Sequence, residues 1–261
     1  MGNKILVLGS SGFIGNYLSK NLDAVPVSRK DVNLEDFDEV RALFKIHKPD
    51  VIINCASNTN VKMEFDAQVY NQNLTLFNNL YLLRNEFGKL INFGSGAEYD
   101  RRYPINNLKE ESIFACSPFD HYGMSKNIIS RIMFPIENFY NLRLFGCFHD
   151  SENETRLFKR IISKQPIKLD NKYFDYISLD DVLTVVEHYI HKEVFYKDLN
   201  LVYSTKLLLS EIVNELLKIH KLENKVIIKN LGLNYTGNGA RLATLGLKLK
   251  GLEQSIIDYK I

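Results

Sequence analysis

Blocks of apolar residues with two different spacings alternate along this chain. Lys4-Ile-Leu-Val-Leu8 is a short apolar run that reads as a buried strand, and Phe13, Ile14, Tyr17, Leu18 and Leu22 then recur at helical spacing. The alternation continues with a short strand over Ala24–Val27, a helix from Asp36 to His47 and a strand over Val51–Cys55. A long helical region from about Phe65 to Glu86 and a strand over Lys89–Phe93 follow. A polar, proline-bearing loop from Asp100 to Pro118 leads into a helix from about Asp120 to Tyr140, and Leu142–Phe145 reads as a fifth strand. Strand–helix units of this length imply parallel pairing through right-handed crossovers, so the expected fold is α/β with a doubly wound parallel sheet.

Beyond Gly146 the spacing loosens. A helix from about Arg156 to Lys164 ends before Pro166, Tyr173–Ser178 reads as a strand, and Leu179-Asp-Asp-Val182 opens a helix with acidic residues in its first turn. A strand near Leu199–Tyr203, a helix from Ser210 to His220 and a strand over Val226–Lys229 complete the pattern. These short, mixed elements predict a sheet domain over residues 1–150 and a small α/β C-terminal lobe over 151–261, partly interwoven with the sheet.

Between the first strand and its helix, Gly9, Gly12 and Gly15 fall three apart. A glycine turn there leaves backbone N–H groups and the positive end of the helix dipole at one spot, which suits a dinucleotide pyrophosphate. Gly9 would make the tight turn, Gly12 would let the backbone approach the phosphates, and Gly15 would let helix and strand pack closely. Ser11, Phe13 and Ile14 belong to the same expected cofactor-binding turn.

The bulk numbers narrow the function classes. A hydrophobic content of 45% and a charged content of 25% are those of an ordinary soluble globule. The net charge of +2, with no dense Lys/Arg run, gives no reason to expect a nucleic-acid partner or a membrane surface. Cys55, Cys116 and Cys147 are widely spaced with no Cys-x-x-Cys pair, so neither a disulfide framework nor a metal site is expected. The apolar run from Ile5 ends at Leu8, too short for a secretory segment, and no run approaches the roughly 18 residues that span a bilayer. The expectation is a reduced, cytoplasmic protein.

Tyr122-Gly-Met-Ser-Lys126 puts a phenol and an ammonium on one helix face. Free tyrosine titrates near pH ~10, too high for a base near neutrality, and a fixed positive charge close by lowers that value. Of the 14 tyrosines only Tyr122 has lysine four residues on, yet chance supplies about one such pair in a chain this rich in both. Taken alone, the pair also describes an exposed helix face. Ser95 lies just past the fourth strand, at its carboxyl end, where open α/β sheets bind ligands. Its hydroxyl can bond a substrate carbonyl or alcohol, although a turn between glycines also calls for serine.

In order and spacing, Gly9-x-x-Gly12-x-x-Gly15, Asn73 in the long helix, Ser95 four residues before Tyr99, and Tyr122-x-x-x-Lys126 resemble the extended short-chain dehydrogenase/reductases. That is the epimerase/dehydratase branch, which acts on nucleotide-linked sugars. The resemblance runs from Lys4 to about Val182, where Phe174-Asp-Tyr-Ile-Ser-Leu-Asp-Asp181 is similar to the family's short aromatic-and-acidic segment. It implies a Rossmann sheet that binds NAD(P) over residues 1–150 and a substrate-binding lobe over 151–261. It implies Tyr122 as general acid/base, Lys126 as the group that lowers its pKa and holds the nicotinamide ribose, and Ser95 as the group that orients the sugar. Asn73 would be structural and near the cofactor, while Cys55-Ala56-Ser57 would line the adenosine and ribose side.

The cofactor follows from the second strand's end. About 20 residues after the first glycine, an acidic residue bonds the ribose 2′-OH of NAD. Here that place reads Ser28-Arg29-Lys30, with no carboxylate until Asp31. A carboxylate repels a 2′-phosphate, whereas Arg29 can clamp one, so NADP(H) is favoured with NAD(H) as the alternative. Asn33 and Leu34 join the expected cofactor contacts; Arg29 and Lys30 also fit a solvated basic turn.

The family's 4,6-dehydratases carry Thr-Asp-Glu where this chain has Ser95-Gly96-Ala97, so the acid and base of water elimination are missing. The stretch Ser28–Leu34 and the layout after it resemble GDP-fucose synthases and related 4-keto-sugar reductases. Those epimerase-reductases use a Cys where Ala97 stands and a catalytic His to which none here clearly aligns, although His149 lies in the right loop. The resemblance implies an NADPH-dependent reductase of a nucleotide-diphosphate-linked 4-keto-6-deoxy sugar, of the kind that makes unusual surface-polysaccharide sugars. A nucleotide-sugar C4 epimerase with tightly bound NAD is the alternative. A non-catalytic dinucleotide-sensing protein is a third reading, against which the Ser95–Tyr122–Lys126 set argues.

Substrate contacts are expected from Ser95, Gly96 and Ala97, and from His149, Arg160 and Arg241. Taken alone, the basic helix Arg156–Arg160 and the turn Tyr235–Arg241 fit solvated surface better. The family often dimerises by pairing two helices per subunit, so a homodimer is expected. The apolar faces near Leu74–Leu83 and Ile128–Met133 are available for it unless the core takes them.

Overall fold

The computed structural model describes residues 3–59, 66–163 and 166–261. Strand β1 (Ile5–Leu8) feeds helix α1 (Phe13–Asn21), and β2 (Val25–Val27) is followed by α2 (Phe37–His47). Strand β3 (Val51–Asn54), helix α3 (Ala67–Leu82) and strand β4 (Lys89–Ser95) come next. Each agrees with its apolar pattern to within a few residues, the usual margin at frayed ends. Two caps fix the helix starts: the Asp36 carboxylate accepts from the N–H groups of Asp38 and Glu39, and that of Asp66 from Gln68. Phe65 and Lys164, at the ends of two expected helices, lie outside the described residues.

From Asp100 onward the structure corrects the sequence reading in several places. The expected loop contains β5 (Ile105–Leu108) and a short 3-10 helix over Glu110–Ala115. Helix α4 spans His121–Met133 and stops there rather than at Tyr140, because Pro135 lacks the N–H that would continue it. Strand β6 therefore starts earlier than expected, at Phe139, and runs to Leu144. Then come β7 (Cys147–Phe148), α5 (Leu157–Ile162), β8 (Ile167–Asn171), β9 (Ile177–Ser178) and α6 (Leu179–His191). β8 has no counterpart in the sequence reading. Of the strand expected over Tyr173–Ser178, only β9 and isolated bridges at Tyr173 and Phe174 form. β10 (Asp198–Leu201), α7 (Leu209–Ile219) and β11 (Val226–Leu231) match. β12 (Tyr235–Gly237), α8 (Ala240–Thr244) and α9 (Gly251–Ile257) are additional.

Six strands form the central parallel sheet, in the order β10-β6-β4-β3-β1-β2, flanked by helices. This is the Rossmann-like α/β fold that the strand–helix alternation implied. Strand β1 pairs in parallel with β2 on one side and β3 on the other, so the chain reverses its direction of travel across the sheet at β1 and β3. Ligands of doubly wound sheets bind outside the carboxyl ends of such a pair. Strands β1, β3 and β6 are buried along their whole length, as strands covered on both faces must be.

The chain divides into two compact units. One comprises Met1–Asp100, Glu111–Arg143 and Val186–Leu199; the other comprises Arg101–Glu110, Leu144–Val185 and Asn200–Ile261. Leu6, Leu8, Phe44, Ile52, Phe77, Leu80, Leu90, Ile129, Met133 and Phe139 share the core of the first. The second packs Phe148, Phe158, Ile161, Leu169, Ile212, Leu216 and Tyr259 around three two-stranded sheets, β11-β8, β12-β5 and β7-β9. Much of the apolar face offered for subunit pairing is thus core: Phe77, Leu80, Ile129 and Met133 are buried, while Leu82 and Ile132 are exposed. Among the described residues no helix is long and apolar enough to cross a membrane.

Candidate active site

The turn after β1 is shaped by what its glycines exclude. Gly9 has φ +76°, and a Cβ there would fall 2.7 Å from the backbone nitrogen of Ala56, so only glycine lets the loops after β1 and β3 touch. At Gly15 a Cβ would stand 2.3 Å from the Gly9 carbonyl oxygen, which packs the helix directly onto the turn. Gly12 is roomier, with that oxygen 3.3 Å from its hypothetical Cβ. It is the N-cap of α1 and makes no side-chain cap hydrogen bond, so the helix end faces outward without a built-in anion.

Beside this turn lies a cavity of about 300 Å³. Ten residues expected to bind a cofactor line it: Gly9, Ser11, Gly12, Arg29, Asn33, Leu34, Cys55, Ala56, Ser57 and Asn73. Phe13, Ile14 and Gly15 sit behind them on α1 and do not line it, nor do Tyr122 and Lys126. Val32, Glu35, Asn58, Gln72 and Leu76 also line the cavity and were missed by the sequence reading. Leu76 lies three residues on from Asn73 and shares its helix face, so a facing argument from Asn73 would have found it; Gln72, one residue before, would not have followed that way.

The walls are held by hydrogen bonds. The Asn73 side chain accepts from the Asn58 N–H at 2.8 Å and the Ser57 hydroxyl at 3.1 Å, and donates to the Ser125 hydroxyl at 3.1 Å. Ser125 in turn donates to the Tyr122 carbonyl at 2.8 Å, so one buried amide ties the loop after β3 to α4. Asn79 donates to the Leu34 carbonyl and the Glu39 carboxylate accepts from the Asn33 N–H, which fixes the far wall. Asp31, the nearest carboxylate after β2, accepts from both the hydroxyl and the N–H of Ser28, at 2.7 and 2.8 Å. These bonds hold its carboxyl below the usual carboxylate range, and it does not line the cavity; Arg29 does.

Tyr122 is half-buried in the first turn of α4, whose N-cap Asp120 accepts from the Gly123 N–H at 2.7 Å. A Cβ on Gly123 would lie 2.5 Å from the Ala97 carbonyl oxygen, so the tyrosine's turn abuts the turn after Ser95. One helical turn on, Lys126 is buried and donates to the Phe93 carbonyl at 3.0 Å. Burial pushes its ammonium down to about 8, against the opposing charge of Glu98 and the Cys55 thiol. Desolvation likewise pushes the Cys55 thiol up, Lys126 opposing it. Lys126 is thus within electrostatic reach of Cys55, which lines the cavity.

Ser95 caps the 3-10 turn Gly96–Glu98. Its hydroxyl oxygen accepts from the Ala97 N–H at 3.1 Å, and its own N–H donates to Glu98 Oε1 at 2.9 Å. With an acceptor site of its oxygen so used, the hydroxyl keeps its proton to donate elsewhere. Gly96 and Ala97, the other expected substrate contacts on this turn, are buried. Glu98 is wholly buried on Arg143, whose guanidinium contacts it at 2.6 Å and Asp198 at 2.9 Å. Arg143 is itself fully buried, and its guanidinium is held well above its ordinary value by Asp198 and Glu98 despite desolvation. The sequence reading missed this triad, although Ser95-x-x-Glu98 is a readable capping box.

The remaining expected residues belong to the second unit. His149 Nδ1 lies 2.8 Å from the Ser151 hydroxyl and 3.0 Å from Asp150. Arg160 lies half-buried in the last turn of α5, and Arg241 Nε stands 3.6 Å from the buried carboxylate of Glu110. Among the described residues no group of His, Cys, Asp and Glu could hold a metal ion.

The model of the NAD dependent epimerase/dehydratase family matches residues 5–194. A sequence search of curated proteins finds no match. Among solved structures, the chain is similar to dTDP-4-dehydrorhamnose reductase from Bacillus anthracis in complex with NADP (TM-score 0.84, 16% identity, 99% of this chain and 98% of that one). It is also similar to the GDP-mannoheptose C4 reductase of Campylobacter jejuni with NADP bound (0.83, 20%, 98% and 96%). UDP-glucose 4-epimerase from Thermotoga maritima with UDP-glucose is as alike in shape (0.82, 16%, 97% and 96%). At such identities the likeness carries the fold alone, and reductases and an epimerase share it. The family match spans more than half of the chain and takes in the glycine turn, Ser95, Tyr122 and Lys126: the chain belongs to the NAD dependent epimerase/dehydratase family, among the NAD(P)-dependent enzymes of the extended short-chain dehydrogenase/reductase type.

Proposed function

We propose that this enzyme is an NADPH-dependent reductase of a nucleotide-diphosphate-linked 4-keto-6-deoxy sugar. The observation that carries the reading is the buried Lys126 on the Tyr122 helix, whose ammonium donates to the Phe93 carbonyl at 3.0 Å and is within electrostatic reach of Cys55 in the cavity wall. The glycine turn fits a dinucleotide: an uncapped helix start faces outward beside the cavity, and Gly12 has room for an approaching phosphate. Gly12 and Ser11 would hold the pyrophosphate, Arg29 a 2′-phosphate, and Cys55, Ala56 and Ser57 the ribose side.

When bound, the reduced nicotinamide supplies a hydride to the ketone carbon. The chain's own residues handle the oxygen. Ser95 donates its free proton in a hydrogen bond that steadies the charge developing there, Tyr122 delivers the proton that completes the alcohol, and the Lys126 ammonium favours the phenolate left behind. Gly96 and Ala97 offer no acid or base for water elimination, which supports reduction over dehydration.

A second reading, a C4 epimerase with tightly held NAD, draws on Glu35, a carboxylate in the cavity wall. Nucleotide-sugars screened for thermal stabilisation in the presence of NADPH would identify the substrate, and turnover would separate the readings. A reductase consumes NADPH stoichiometrically; an epimerase purifies with bound cofactor and consumes none. Tyr122→Phe is expected to bind NADPH normally and to lose turnover. Full activity in that variant would refute the assignment of the proton donor.

A further inference from the structure

We propose that Glu98 is a positioning residue for the reacting set: it holds the Ser95 backbone so that the hydroxyl points its proton outward, and its buried carboxylate is the counter-charge to the Lys126 ammonium. This rests on the reading of Ser95, Tyr122 and Lys126 as the groups that handle the ketone. In the capping box of this turn Glu98 is the reciprocal glutamate. It is fully buried, and its seat is built for it: a Cβ on Gly94 would fall 2.3 Å from Glu98 Oε1. Arg143 and Asn141 on β6 grip the carboxylate, and Asn127 on α4 donates to the Glu98 carbonyl at 2.8 Å. The turn that carries Ser95 is thus fixed from the tyrosine's own helix and from the sheet.

Charge gives the second half. Glu98, Asp198 and Arg143 together carry one net negative charge in a buried site. The Lys126 ammonium sits on the carbonyl of Phe93, next to the Gly94 that seats Glu98, and closes the balance. The Cys55 thiol, from the loop after β3, acts on the Lys126 ammonium in the same direction as Glu98. Glu98 is the carboxylate that favours its protonated form.

The test uses the full chain with Glu98→Gln, which keeps an acceptor for the Ser95 N–H and deletes the charge, and Glu98→Asp, which keeps the charge and withdraws the acceptor. Each is expected to lower kcat for the keto sugar roughly tenfold, with the NADPH Kd within about twofold of wild type. In a Ser95→Ala background, Glu98→Asp lowers kcat no further, because the hydroxyl it would disorient is gone. Additive losses there overturn the positioning role. Lys126 titration, followed by NMR of Cε-labelled lysines with Lys126→Arg for assignment, moves down by about half a pH unit or more in Glu98→Gln and not in Glu98→Asp. No movement overturns the counter-charge role. If wild type reduces no keto sugar, the proposed reaction falls, and the Lys126 titration, which needs no substrate, still decides Glu98. A chain that folds with neither substitution makes Glu98 a folding residue only, which also overturns the proposal.

Discussion

A methyl group added at Gly12 or at Gly15 meets different surroundings, and the difference separates binding from folding within one turn. At Gly15 the new Cβ would stand 2.3 Å from the Gly9 carbonyl oxygen and 2.8 Å from its carbon, both backbone atoms that cannot rotate away. Relaxed non-bonded contact needs about 3.5–4.0 Å. Alanine gains about 1 kcal/mol over glycine in a helix, and overpacking costs roughly 1–3 kcal/mol, with the upper part of that range apt for a backbone clash. Gly15→Ala should therefore lose about 1–2 kcal/mol, a fall in Tm of roughly 2–8 °C for a chain of this size. At Gly12 the same methyl meets one atom, at 3.3 Å, and otherwise the open side that lines the cavity. Alanine in place of glycine at an N-cap costs at most about 1 kcal/mol, so Gly12→Ala should melt within about 4 °C of wild type. Its NADPH affinity should nonetheless drop at least about tenfold, the equivalent of 1.4 kcal/mol, as the methyl occupies the approach to the phosphates. Thermal melts without nucleotide and fluorescence titration with NADPH measure both quantities. If Gly12→Ala binds NADPH like wild type, or if Gly15→Ala is as stable as wild type, the assignment of roles within the turn is wrong.

Arg29→Ala should raise the NADPH Kd about tenfold, the value of a partly solvated charge-assisted contact, and leave NADH binding unchanged; equal losses on both would remove Arg29 from the 2′-phosphate. Lys126 titrates at about 8 in the fold against 10.5 in a free side chain, so between those values the unfolded chain holds a proton that the native one has lost. Stability from this group is therefore absent below pH ~8 and grows as pH rises towards ~10.5, by on the order of 3 kcal/mol. Urea unfolding across that range should show the rise in wild type and not in Lys126→Met; parallel curves would refute it. Arg143→Met leaves Glu98 and Asp198 buried without their cation and should cost about 3–5 kcal/mol in chemical denaturation, and a loss under about 1 kcal/mol would contradict the described burial.

The first ninety-odd residues were legible because a parallel sheet writes itself locally. Strands β1 and β3 are apolar runs bounded by Gly9 and Pro49-Asp50, β4 runs into the turn at Gly96, and Asp36 marks a helix start that the structure caps. The second half was less legible for a physical reason. Strands such as β8, β9 and β12 are short and pair in twos, so few residues carry each one's signal. Pro135 was visible, yet the apolar residues on either side sustained a helical spacing across it. Within the candidate site, the glycine turn and the Tyr122–Lys126 pair could be named because each is a span of a few residues, Ser95 because it stands at a strand's carboxyl end, and Asn73 only through the family resemblance. The buried triad could not: Arg143 lies 45 residues from Glu98 and 55 from Asp198 in sequence, and an arginine in a strand gives no local sign that it is dry.

What the sheet order adds to those motifs is adjacency. Strands β1, β3 and β4 are neighbours, and their carboxyl ends deliver the glycine cradle, the Cys55–Ser57 wall and Ser95 to the same edge. Helices α3 and α4 pack side by side, so Asn73 and Ser125 can link that edge to the Tyr122 turn. A parallel sheet thus needs no long-range coincidence to assemble the proposed hydride-transfer site; neighbouring crossovers bring the parts together. The cost appears elsewhere, in a lysine held protonated where burial disfavours its charge and in a carboxylate-rich network beneath the serine. The burial of the Lys126 charge weakens the fold, and enzymes accept such losses where the same group is needed for turnover. On that logic a substitution that stabilises this core by removing a charge, at Lys126 above all, should be the one that silences it.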